Sequence, residues 1–101
     1  MEKLYALKND ENGLYFQVST SGEVWDFLTR IAMMLFDEGE SYIIDDYYMG
    51  EIKENDQFNY SQDGIHLVIV MANGRAYVSI LGIPEKLRNE IKDIVFENYA
   101  F

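Results

Sequence analysis

The stretch "HLVIVMANGRAYVSIL", residues 66–81, constrains the fold more than any other. Two runs rich in β-branched residues flank Asn73-Gly74, a dipeptide that supplies the positive φ angles of a two-residue hairpin turn. That turn fixes the register. It pairs Met71 with Ala76, Ile69 with Val78 and Leu67 with Ile80 on one face. Val70 with Tyr77 and Val68 with Ser79 fall on the other. Both faces are largely apolar, which puts the hairpin in the middle of a sheet.

A second hairpin is expected at about residues 3–9 and 13–19, where "KLYALKN" and "LYFQVST" flank "DENG" and Asn12-Gly13 serves as the turn. "TSGEVWDFLTRIAMMLFDEG" predicts a helix. Thr20 and Glu23 have capping-box spacing, and Gly39 suits the helix end. Val24, Phe27, Leu28, Ile31 and Leu35 recur at helical spacing as one apolar stripe. "SYIIDDYYM", residues 41–49, is strand-like, and "GEIKE" follows it. Adjacent residues on a strand face opposite ways, so at least one of Asp45 and Asp46 is expected in solvent, on an edge strand. "GIPEKLRNEIKDIVFENYAF" predicts a closing helix. Pro84 suits its first position, Leu87, Ile91, Ile94 and Val95 form its buried stripe, and Lys86 and Glu90 form an i, i+4 pair. The expected order is β-β-α-β-(β)-β-β-α. It implies an α+β fold, with one antiparallel sheet of about five strands and two helices packed mainly on one face. At 101 residues, residues 1–101 form a single domain with one modest core.

The sequence lacks the usual equipment of an enzyme. It has no cysteine, so thiol catalysis and thiolate metal sites are excluded. No serine lies in a nucleophile elbow, and no glycine-rich phosphate loop or zinc-protease motif occurs. His66 is the single histidine, and a lone histidine at a strand start is read as structural. "DENGLYFQ" and "ENDQFNYSQDG" resemble a calcium loop in composition, but they lack its ligand spacing and the glutamate at its twelfth position. No catalytic residue, metal ligand or cofactor is therefore assigned, and a non-enzymatic role is expected.

Charge carries the functional reading. The net charge is −10, a field that repels nucleic-acid phosphates and anionic lipid. Direct nucleic-acid binding and membrane-surface binding are therefore disfavoured. "MEKLYALKND" has no apolar core for a signal peptide, which gives a cytoplasmic expectation. Residues 37–63, "DEGESYIIDDYYMGEIKENDQFNYSQD", hold nine carboxylates and one lysine, with tyrosines threaded between them. Tyrosine gives rigid amphipathic contact area, and surrounding carboxylates steer a basic partner. Glu40, Tyr42, Asp45, Asp46, Tyr47, Tyr48, Glu51, Glu54, Asp56 and Tyr60 are the expected partner-binding residues. The competing reading is a solvated surface whose tyrosines lie half-buried as ordinary strand formers.

In size, acidity and absence of catalytic residues, the chain resembles in kind the small phage-encoded inhibitors of nucleic-acid enzymes. Anti-CRISPR proteins, anti-restriction DNA mimics and uracil-DNA glycosylase inhibitors are examples. These groups share no one fold, so the resemblance implies a mode of action and carries over no site residue. The implied action is stoichiometric blocking of a basic nucleic-acid-binding groove on a partner protein. An immunity protein or antitoxin that neutralises a cognate toxin would use the same physics. A third expectation is an oligomeric structural domain. Its homodimer contact would use Trp25, Met33, Met34 and Phe36, or the tail residues Phe96, Tyr99 and Phe101.

Overall fold

The computed structural model describes residues 2–20, 24–36 and 57–101. Its elements are β1 (Glu2–Asp10), β2 (Gly13–Ser19), α1 (Val24–Leu35), β3 (Gln57–Gln62), β4 (Ile65–Ala72), β5 (Arg75–Leu81), α2 (Glu85–Asn98) and β6 (Tyr99–Ala100). The fold is α+β. Its six strands form one sheet in the order β3-β4-β5-β2-β1-β6.

The β4–β5 hairpin has the register set by Asn73-Gly74, with all five expected pairs formed. Asn73 and Gly74 have φ of 57° and 70°, as a type I′ turn requires. The hairpin is interior to the sheet. Leu67, Ile69, Met71, Ala76, Val78 and Ile80 are buried on one face, while Val68, Val70, Tyr77 and Ser79 on the other are half-buried.

Four details correct the expected fold. The sheet is mixed, because β6 pairs parallel to β1 through Glu2–Tyr99 and Lys3–Ala100. The first hairpin turns at Glu11 and Asn12, with Asp10 opposite Gly13. Asp10 Oδ1 accepts the Asn12 N–H at 2.9 Å, so an Asx turn replaces the turn expected at Asn12-Gly13. Pro84 caps α2 from the position before it, where its carbonyl accepts the first helical N–H, from Arg88. Lys86 and Glu90 form no ion pair; among the described residues, Lys8–Asp10 and Lys92–Asp93 do.

β3 is a strand that the sequence analysis did not assign. Asp63 and Gly64, with φ of 53° and 83°, form a second type I′ turn that folds β3 onto β4. The expected strand at 41–49, the "GEIKE" stretch that follows it at 50–54, Glu23 of the capping box and Gly39 lie outside the described residues.

Both helices cover the same face of the sheet. Val24, Phe27, Leu28, Ile31 and Leu35 of α1 are buried as a stripe, as are Ile91 and Val95 of α2. Phe27 joins the layers, edge-on to Phe16 of β2 at 6.1 Å and to Tyr99 of β6 at 4.9 Å. Arg88 of α2 is buried without a carboxylate. Its Nε donates to Asn9 Oδ1 at 2.5 Å and its guanidinium to the Ile83 carbonyl, while Asn9 donates to Asn89 Oδ1.

Candidate functional site

The acidic segment is anchored at both ends by the described fold. The chain enters residues 37–56 from Phe36 and leaves them into β3 at Gln57. The N–H of Phe36 continues the α1 ladder to the Ala32 carbonyl, and its ring is buried. That ring meets Tyr60 of β3 edge-on at 4.8 Å. An aromatic contact thus ties the end of α1 to β3, the outermost of the described strands, next to the segment in sequence.

Of the expected partner-binding residues, Tyr60 is described. It is half-buried, and its ring packs on Phe36 rather than standing out as a bare anchor. Phe58 points to the same helix-covered face and is buried, whereas Gln57, Asn59 and Ser61 alternate with them into solvent. Glu40, Tyr42, Asp45, Asp46, Tyr47, Tyr48, Glu51, Glu54 and Asp56 lie outside the described residues.

The expected self-association surfaces are partly consumed by the core. Phe36 and Tyr99 are buried, and Trp25 and Met34 pack against the core. Met33, Phe96 and Phe101 stay exposed, the two phenylalanine rings 6.2 Å apart. Burial, with the nearby charge of Glu2 adding to it, pushes the Tyr99 hydroxyl up to about 12.

His66 is exposed, and its Nδ1 lies 2.6 Å from Ser61 Oγ across the β3–β4 ladder. A serine so placed resembles the start of a nucleophile–base pair, but the pair sits on an exposed strand surface. No cluster of three or more metal-ligating side chains occurs among the described residues. No helix there is long and apolar enough to cross a membrane.

The sheet face away from the helices was not anticipated as a site. It carries a depression of about 300 Å³ lined by Ala6, Lys8, Tyr15, Gln17, Tyr77 and Ser79, among others. These side chains come from β1, β2 and β5, and a register shift between Leu4 and Ala6 helps to shape the depression. Three cations rest on tyrosine rings across this face. The Arg75 guanidinium lies 3.8 Å from the Tyr5 centroid, Lys3 Nζ 6.0 Å from the same ring, and Lys8 Nζ 5.9 Å from Tyr15. At its margin, Asp10 lies 3.4 Å from Lys8. The Asn12 N–H, and then Lys8, hold its carboxyl below the usual carboxylate range.

The chain matches no protein-family model, no curated protein and no solved structure.

Proposed function

We propose that the protein is a non-enzymatic inhibitor that binds a basic protein surface through residues 37–63 and blocks a groove that otherwise receives nucleic acid. The observation that carries this reading is charge segregation. Nine of the eighteen acids and one of the eight cations lie in those 27 residues, so the segment has net charge −8 of the chain's −10. The other 74 residues hold nine acids and seven cations and are close to neutral. A charge run that merely kept the protein soluble would have no need to be confined to one segment. Carboxylates in a row offer the lysines and arginines of such a groove a substitute for phosphates. Interleaved tyrosines add contact area that charge alone lacks. The partner is a basic, nucleic-acid-handling protein, and the mechanism is steric and electrostatic.

The test is affinity capture from host lysate at about 0.1 M and about 0.5 M salt, where the Debye length falls from about 10 Å to a few ångströms. Wild-type protein is run beside Asp45→Lys/Asp46→Lys. One basic nucleic-acid enzyme retained at low salt by the wild type, and shed both at high salt and by the variant, supports the reading. Equal retention by a folded variant overturns its electrostatic part.

A further inference from the structure

The sheet face that carries neither of the described helices differs in charge from this acidic chain as a whole. Lys3, Lys8 and Arg75 are three of the chain's eight cations, and all three contact tyrosine rings on it. The strand residues that share this face on β3, β4 and β5 include Gln57, Asn59, Ser61, His66, Val68, Val70, Ala72, Tyr77, Ser79 and Leu81, none of them acidic. Two carboxylates of described strand residues lie at its margins: Asp10, which Lys8 and the Asn12 N–H engage, and Glu2, whose Oε2 accepts from the Ser19 hydroxyl beside Arg75 in the ladder. On the opposite face, Leu4, Phe16, Val18, Val78 and Ile80 are buried beneath α1 and α2.

We infer that this face is a second binding site, which takes an extended acidic peptide of a partner protein. Its two ends are cationic and its middle is apolar. At one end, the guanidinium of Arg75 stacks on Tyr5 and donates one N–H to Gln17 Oε1, which leaves the other edges of the plane for a carboxylate. At the other end stands Lys8, whose side chain is 71% exposed. Between them lies the depression, where Ala6 leaves room and Tyr15 and Tyr77 contribute rings.

Tyr5 and Lys8 are three residues apart on β1, which corresponds to about 10 Å of strand. An extended pentapeptide spans about 13 Å from its first to its fifth residue, and its first, third and fifth side chains share one face. The geometry therefore fits Glu-x-Phe-x-Glu, with the carboxylates on the Arg75 and Lys8 ends and the ring in the depression. Charge chooses a peptide over a nucleic acid. Two carboxylates match the local cations and carry less charge into the molecule's overall −10 field than a polyphosphate does.

The probe is the peptide acetyl-Glu-Ser-Phe-Ser-Glu-amide, titrated into ¹⁵N-labelled full-length protein at about 0.05 M salt. The same peptide with lysines in place of the glutamates, and a short oligothymidylate, are run in parallel. The site predicts saturable amide shifts clustered on Ala6, Lys8, Tyr15, Gln17, Tyr77 and Ser79. Affinity should fall at least tenfold in Lys8→Glu/Arg75→Glu. Because that double reversal could unfold the sheet, Ala6→Leu is the second variant. It fills the depression, leaves every cation in place, and should weaken binding several-fold with an unchanged amide dispersion. Equal binding of the lysine peptide, preferential binding of the oligothymidylate, shifts that cluster elsewhere, or no saturable response would each overturn the proposal.

Discussion

Gly13 and Gly74 are both glycines at hairpin ends, yet they resist substitution for different reasons. At Gly74 φ is +70° and a Cβ would meet no atom within 4 Å, so alanine meets only the left-handed backbone penalty, about 1–2 kcal/mol. At Gly13 a Cβ would lie 2.4 Å from the backbone carbonyl oxygen of Ile80, in a strand that cannot yield without breaking its ladder. Gly13→Ala should therefore cost more than Gly74→Ala, about 3 kcal/mol by urea denaturation. The reverse order would mean that β2 and β5 lie farther apart than described. Tyr99 gives a pH prediction. Its hydroxyl is held protonated in the fold, from an ordinary value of 10.0 to about 12. The stability that this shift contributes is complete below pH 10 and is lost as pH rises from about 10 to about 12. Tyr99→Phe, which cannot ionise, should flatten that alkaline limb in thermal melts; an unchanged limb would assign it to other groups.

At the scale of elements, α2 is held to β1 by Arg88. The guanidinium is buried, and its partners are the Asn9 side chain and the Ile83 carbonyl. Arg88→Ala leaves both acceptors without this donor and should destabilise by about 2–3 kcal/mol. Asn9→Ala combined with Arg88→Ala should cost less than the sum of the single changes, because the two residues share one bond. Strict additivity would show that the bond contributes nothing. The elements also differ in how legible they were. The β4–β5 register followed from Asn73-Gly74, because a two-residue turn leaves one pairing that buries Leu67, Ile69 and Met71. Asp63-Gly64 carries the same signal for β3. The strand pattern of "QFNYSQ" is weaker, because it is polar on one face while Phe58 and Tyr60 alternate onto the other. β6 had no local signal, since two residues joining a strand almost a hundred positions away depend on α2 delivering them there. The depression on the face away from the described helices was equally hidden, because it forms where β1, β2 and β5 meet around a register shift. The acidic run itself was plain in the sequence, and so was its lack of catalytic motifs.

At the scale of the whole molecule, charge is divided along the chain: residues 37–63 carry −8 of the net −10, and the other 74 residues are close to neutral. Next to residues 37–56 in sequence, an aromatic contact ties Phe36 to Tyr60, so loosening it should weaken partner binding without altering the charge. Tyr60→Ala is expected to reduce affinity several-fold and to destabilise the fold by about 2–3 kcal/mol. Full affinity in a folded Tyr60→Ala protein would show that the segment needs no anchoring. The central claim, that residues 37–63 occupy a groove meant for nucleic acid, is tested most directly by competition. With the captured partner in hand, its binding to a labelled oligonucleotide is measured as this protein is added. The account predicts complete displacement at one-to-one stoichiometry, with no complex containing all three components. A stable ternary complex, with the oligonucleotide still held at its original affinity, would contradict it.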